Sequence, residues 1–523
     1  MLDNQENTNA PRRVLEFLLV FAVFFVSAAS FPPDVNEAHY LSRARHHWDN
    51  DWCSGDVFLE SSAAHGTFYS LFGWVTRWVS LPTAAWTGRV LTWSLLACAW
   101  QRLSRAFVSG PFLAVASAAL FVTFQHWGHM AGEWVVGGLE AKGFAYAFVL
   151  FALEALVVGK WNRVWLLLGV ASSLHVLVGG WAVVAALLAY GWSGRERPPL
   201  LGMVPALFGG LMLSLPGLLP ALALNWQSEA EVTQLANRLY VFVRLPHHLV
   251  FHNFSPFLVA RHVALLLVAV LVITQGAWDE RQRRLLRFVS GAVCIAFVGI
   301  LLGFASMLQP DWATSLLRFY WFRLSDAMVP IATALALVAF VREQKLHRPR
   351  LTAGLSLVAT GAAVMSLSQI GWGTCRDPRP PAIVQSAPRG ESQAFSEQRY
   401  REWRRICSWI VQNTEPDSVV LAPRYQQSLR WFAERAEVVN WKDVPQDAPG
   451  IVEWRRRMVD VYPRATAWQG LVGHGESRLQ ELASKYRFQY VLLDRSRSKR
   501  PLSFPRLFPP VSEDSIYELY RIP

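Results

Sequence analysis

Apolar residues in this chain fall in blocks of roughly 17–25, the length needed to cross a bilayer core. Blocks of that length, repeated over most of 523 residues, leave few folds open. Inside lipid every backbone polar group must be satisfied within the segment, so a helical bundle is the expected solution. Composition agrees: 53% of residues are hydrophobic and 17% charged, against roughly 25% charged in soluble domains. Spans are expected near 14–31, 83–102, 106–127, 142–158, 163–177, 179–192, 200–224, 258–276, 288–307, 317–341 and 351–371, about eleven in all. Gly179-Gly180 marks a sharp turn or helix break between the fifth and sixth. Phe68–Leu81, interrupted by Arg77, reads as an amphipathic or re-entrant surface helix.

The net charge of +12 does not point to nucleic acid, because the basic residues cluster in short loops between spans. With Arg12 and Arg13 inside, the inside loops carry Arg102 and Arg105; Lys160 and Arg163; Arg195 and Arg197; Arg281, Arg283, Arg284 and Arg287; and Arg342, Lys345, Arg348 and Arg350. Val14–Ser30 follows basic residues as a signal peptide would, but it is long and Pro32-Pro33-Asp34 is a poor cleavage site, so it is expected to stay as the first span. Segments 32–67, 128–141, 225–257 and 308–317, and everything after 372, then lie outside. The expected organisation is a transmembrane domain over 1–372 with its first outer loop at 32–67, a linker at 373–394, and a small α/β domain over 395–523. In that domain Arg399–Val411 and Leu479–Tyr486 read as helices, and 418–422, 437–439, 490–493 and 516–521 as strands. The fold class is thus an all-α polytopic membrane domain with a C-terminal extracytoplasmic α/β domain. The five cysteines show no metal-type spacing, and one disulfide among Cys53, Cys375 and Cys407 is allowed.

Four constellations can carry chemistry. Asp34 and Glu37 follow the first span and open a helical pattern that runs to Trp48; Asp34 suits a helix N-terminus, as a base or as a plain N-cap. Glu133, Glu140 and Lys142 sit in the second outer loop, where a carboxylate at a span entrance is costly without a function. Snorkelling explains Lys142 more readily than Glu140. Arg244, His247 and His248 suit a phosphate better than a metal, since His-His with no further ligands is a weak zinc signal. Arg318 suits a phosphate contact, whereas Arg323 and Asp326, one helical turn apart, are expected to pair. His175, within a span, reads as a packed core histidine.

A single span opening into a long outer loop with the early acidic run Asp34-Val35-Asn36-Glu37, followed by Asp51-Trp52-Cys53-Ser54-Gly55-Asp56, resembles the GT-C superfamily of integral-membrane glycosyltransferases. That superfamily includes protein mannosyltransferases, aminoarabinose transferases and oligosaccharyltransferase catalytic subunits. The chain also resembles a set of bacterial polytopic membrane proteins, which implies the inner membrane. The resemblance implies a sugar donor on polyprenyl phosphate and a lipid, glycan or protein acceptor. It implies Asp34 as general base with Glu37 as its rival, and Arg244, His247, His248, Arg318 and Arg323 beside the leaving phosphate. Two residues separate Asp34 from Glu37, where several of these families have adjacent carboxylates. A divalent metal stays open as cofactor. The rival functions are a lipid or sugar transporter or flippase, disfavoured by few ionisable residues at mid-span (His175, Glu154, Asp326), and a noncatalytic envelope scaffold.

Overall fold

A computed structural model describes residues 2–523 except 227, 346, 389, 465–468, 497, 499, 511 and 512; the side chains of 2–9, 375 and 376 lie outside the description. Contacts divide the chain into two units. One comprises Met1–Ala29, Arg89–Ala221 and Tyr240–Arg376, here the helical unit; the other comprises Ser30–Gly88, Leu222–Leu239 and Asp377–Pro523, here the mixed unit.

The helical unit is built around the helix Arg323–Gln344, which is buried along most of its length. Leu113–Gly128, Pro256–Gln275, Glu280–Ala305 and Pro349–Arg376 pack against it. Every expected span overlaps a helix. Five helices among the described residues are long and apolar enough to cross a membrane: Leu200–Ala223, Pro256–Gln275, Glu280–Ala305, Arg323–Gln344 and Pro349–Thr374. Leu113–Gly128 and Val176–Gly191 are apolar but shorter. Ala141–Val157, at 17 residues, stands at the lower end of the spanning range, and Trp161–Leu174, at 14, reaches only about 21 Å, short of a hydrocarbon core of about 30 Å. Against about eleven expected spans, five helices among the described residues meet both length and composition.

The expected break at Gly179-Gly180 falls elsewhere. His175 ends Trp161–Leu174 and N-caps Val176–Gly191, its Nδ1 accepting from the Val178 N–H at 3.3 Å. Gly179 serves close approach instead: a Cβ there would meet the Ser172 backbone N at 2.3 Å. Small residues let two helices close on one another where lipid offers no hydrophobic drive.

In the mixed unit a five-stranded sheet has the order β2-β1-β3-β5-β4, with β1 Val419–Leu421, β2 Ala436–Glu437, β3 Tyr490–Asp494, β4 Arg506–Phe508 and β5 Tyr517–Arg521. β1 runs parallel to β2 and β3; β5 is antiparallel to β3 and β4. Helix Gln393–Asn413 lays Trp403, Ile406, Cys407 and Ile410 onto Val420, Leu492 and Leu519, which is the apolar face its spacing announces. The crossover between β1 and β3 carries helices Leu429–Ala433, Ala448–Val461 and Glu476–Tyr486. β4 has too few apolar residues to stand out in sequence. Residues 30–88 belong to this unit because buried groups of the first loop are bonded into it, as described below. Cys53 and Cys407 are free and buried, so the disulfide allowed between them is not formed; the Cys375 side chain lies outside the description.

Candidate functional site

In the helical unit the loop between Leu113–Gly128 and Ala141–Val157 is pinned from three sides. Asp326, in the first turn of the central helix, accepts the backbone N–H groups of Met130 (2.9 Å), Ala131 (2.8 Å) and Glu133 (3.3 Å). Gln125 Oε1 accepts from the Val135 N–H (3.1 Å), and Trp93 Nε1 donates to the Gly137 carbonyl (2.9 Å). Gly132 has φ +82°, a conformation that suits glycine, and a Cβ there would lie 2.8 Å from His248 Cε1. The expected Arg323–Asp326 pair is therefore not made. Asp326 is used up by loop amides, with His262 Nδ1 3.7 Å away, and Arg323 turns to Glu133.

That turn builds an ionic cluster. Arg323 Nε lies 3.0 Å from Glu133 Oε2, an ion pair without hydrogen-bond alignment. Lys142 Nζ lies 3.7 Å from Glu133 and 3.5 Å from Glu140, and 3.5 Å from the centre of the Trp134 ring. All four charged groups are largely buried, two cations against two carboxylates. His175 Nε2 is 3.1 Å from Arg323 Nη1, so this histidine takes part in the cluster rather than merely filling the core.

The cluster continues through aromatic groups. Arg323 lies over the Tyr320 ring at 4.2 Å, and the Tyr320 and Tyr240 hydroxyls are 3.1 Å apart. Arg244 acts electrostatically on Tyr320, and Tyr240 on Arg318. His248 Nδ1 donates to the Ala131 carbonyl at 2.5 Å, and its ring lies tilted against that of His247, centres 4.1 Å apart. Glu140, Lys142, Arg244, His247, His248, Arg318 and Arg323 thus share one neighbourhood of the helical unit. Glu133, Tyr240 and Tyr320 complete it; the two tyrosines carried no sequence signal beyond lying beside Arg244 and Arg318.

Asp34 and Glu37 belong to the mixed unit. The helix starts at Glu37 with Asn36 as its N-cap, three residues later than the pattern implies, so Asp34 is not the cap. Glu37 is fully buried and its Oε2 accepts from the Asp34 N–H (2.7 Å); Asp34 Oδ1 accepts from the Val35 N–H (2.7 Å). Asp34 is the more exposed carboxylate of the two.

The same unit holds a second buried cluster that sequence reading missed. Arg430 bonds Asp56 (2.7 Å), Glu437 (3.0 Å) and Asp443. Asp56 also caps Val57–Glu60 and accepts from the Glu437 N–H (3.1 Å). Asn440 donates to Glu437 and Asp443, and His39 Nδ1 donates to Asp443 at 2.9 Å. Burial pushes the Glu437 carboxyl up to about 8, with Arg430 opposing and Asp56 and Asp443 adding to the rise. Burial also works to raise Asp443, but Arg430 and His39 overcome it and hold that carboxyl below its usual range. Burial lowers His39 despite Asp443, so their contact is a hydrogen bond to a neutral ring at neutral pH. A charged residue inside an apolar run was the available signal: Arg430 in Leu429-Arg430-Trp431-Phe432, Glu437 in Ala436-Glu437-Val438-Val439. Among the described residues no group of three His, Cys, Asp or Glu is arranged to hold a metal ion; in this cluster a guanidinium fills the centre.

A family model described as a domain of unknown function (DUF6798) matches residues 401–461. That stretch runs from the Gln393–Asn413 helix to the end of Ala448–Val461. No curated protein matches the chain. Among solved structures it is similar to the oligosaccharyltransferase of Archaeoglobus fulgidus crystallised with zinc and sulfate, at 12% identity, over 92% of this chain and 68% of that one, TM-score 0.45. It is also similar to AglB from the same organism in complex with an inhibitory peptide and a dolichol-phosphate, at 13% identity, over 94% and 70%, TM-score 0.47.

Proposed function

We propose that this chain is a membrane glycosyltransferase that moves a sugar from a polyprenyl-phosphate donor to an acceptor at the extracytoplasmic face. The observation that carries the reading is the buried polar neighbourhood of the helical unit. Ionisable groups held within an apolar bundle are expensive, and function is the default explanation for them. In that neighbourhood Lys142 and Arg323 are balanced by Glu133 and Glu140. Arg244 and Arg318 lie in the same neighbourhood and would contact the donor phosphate, with His247 and His248 as further hydrogen-bond donors. Arg forks match phosphoryl oxygens, and donors fixed in a water-poor site stabilise charge as it develops on a leaving group.

In this reading the Asp34 carboxylate takes the proton of the acceptor hydroxyl or amine. The acceptor atom bonds to the anomeric carbon from the face opposite the lipid phosphate. The bond from that carbon to the phosphate oxygen breaks, the configuration inverts, and polyprenyl phosphate departs with the electron pair. Asp34 is favoured over Glu37 because Glu37 is fully buried and committed to the Asp34 N–H. A positioned base contributes roughly 10²–10⁴-fold. Asp34→Asn is therefore expected to lower transfer from a labelled polyprenyl-phosphate sugar by about that factor in membranes containing normal amounts of folded protein. Undiminished transfer by Asp34→Asn rules out its role as base. Uptake of sugar or lipid into vesicles with no covalent product would replace the transferase by a transporter.

A further inference from the structure

The sheet of the mixed unit holds a cavity of about 290 Å³ that the transfer chemistry does not use. Pro423–Gln426, directly after β1, and Leu493 and Asp494, at the end of β3, line it, so it opens at the carboxyl ends of two parallel strands. That edge is where ligands bind in open α/β sheets. Tyr400, Trp403, Tyr425, Tyr462 and Tyr517 supply its aromatic walls.

The polar lining is specific in kind. Ser396 Oγ, Gln426 Oε1 and Arg424 Nε are buried and make no hydrogen bond within the described protein, and Ser396 is only 4% exposed. Gln426 Nε2 is fixed on the Tyr517 hydroxyl (2.9 Å), which turns the amide oxygen into the acceptor on offer. Arg424 lies over the Tyr425 and Trp441 rings at 5.2 and 4.9 Å. The other lining cation is already engaged: Arg399 bonds Asp494 (2.7 Å), Glu391 (2.8 Å) and Ser496 (3.0 Å).

These groups sort the candidate ligands. A phosphate or carboxylate only accepts, so it would leave Gln426 Oε1 unsatisfied, and Arg399 is neutralised. An apolar ligand would leave all three polar atoms without a partner. A polyol both donates and accepts at every hydroxyl, and the C–H face of a pyranose lies flat on an aromatic ring. The volume is at the lower edge of ligand pockets, which run from about 300 Å³. We propose that this cavity binds a single neutral sugar ring, with Tyr425 at its mouth and Ser396, Arg424 and Gln426 reading its hydroxyls. The assignment is independent of the transferase reading: it concerns binding in the sheet domain, whatever the helical unit does.

The test uses the full chain in lipid nanodiscs, free of sugar-headed detergent. Methyl α-mannoside, methyl β-glucoside, methyl β-galactoside and N-acetylglucosamine are titrated, with saturation-transfer NMR and tryptophan fluorescence as readouts. At least one sugar should bind saturably. Arg424→Gln combined with Tyr425→Ala should weaken it at least about tenfold, or 1.4 kcal/mol, with an unchanged melting temperature. Ser396→Ala, which removes one oxygen, should weaken it less and serves as the second variant if the double substitution disturbs folding. The proposal is overturned if none of the four sugars saturates, if binding survives these substitutions, or if uridine or inorganic phosphate occupies the cavity in preference to the sugars.

Discussion

The two buried ionic clusters solve the same problem differently. In the helical unit Lys142 and Arg323 face Glu133 and Glu140, two charges against two. In the mixed unit one guanidinium, Arg430, faces Asp56, Glu437 and Asp443. The first is balanced as it stands. The second carries a surplus of carboxylate, which it relieves by holding a proton on Glu437. Burial makes both costly to break, since removing one partner leaves an uncompensated charge. The second ties its own stability to pH through that proton, which suits a structural lock.

The largest effect expected from this contrast is at Arg430. Arg430→Met leaves three buried carboxylates without their cation and should cost about 3–5 kcal/mol. Thermal unfolding and protease resistance of the mixed unit measure it; an unchanged melting temperature would show that the cluster is not a lock. Next comes Glu133→Gln, which leaves Lys142 and Arg323 with Glu140 alone and should cost about 2 kcal/mol, the lower end for a truncated buried pair because glutamine keeps the shape. Adding Arg323→Gln should recover part of that loss, and the coupling energy from the double-mutant cycle reads the pair directly. Additive losses would mean that Glu133 and Arg323 are neighbours without being partners.

The effect at Glu437 is smallest in acid, and it depends on pH. Its folded-state value, about 8, lies above the ordinary 4.5. The native state therefore keeps a proton that the unfolded chain gives up, and stability is full below the ordinary value and falls as pH rises through the folded one. Asp443 has the opposite sign: held below its ordinary 3.8, it contributes stability above that pH and loses it as pH falls further. Glu437→Gln should be nearly neutral in acid and remove the decline between about pH 5 and 8. A decline of unchanged slope would move the responsible proton to another group.

Much of the frame was legible because lipid imposes one demand on every residue of a span. Each apolar block did become helix, and the helix Gln393–Asn413 and the strands around Val420 and Leu492 followed their spacing. The blocks at 142–158 and 163–177 became helices Ala141–Val157 and Trp161–Leu174, within a few residues of the bounds read from hydropathy. The break at His175 was missed because a glycine pair looks like a turn, while Gly179 was needed to admit Ser172.

The candidate site was legible only as a set of residue types. Sequence alone determined that carboxylates and guanidinium groups stand at the ends of apolar helices, because hydropathy is a property of consecutive residues. Which charge meets which was decided by tertiary structure. Asp326 is one helical turn from Arg323 yet bonds the amides of Met130, Ala131 and Glu133, which lie about two hundred positions away in the chain. Arg430 finds Asp56 across a separation of 374 residues. A buried charge binds the strongest complementary group that the packed backbone brings within reach, and spacing along the chain does not encode that distance.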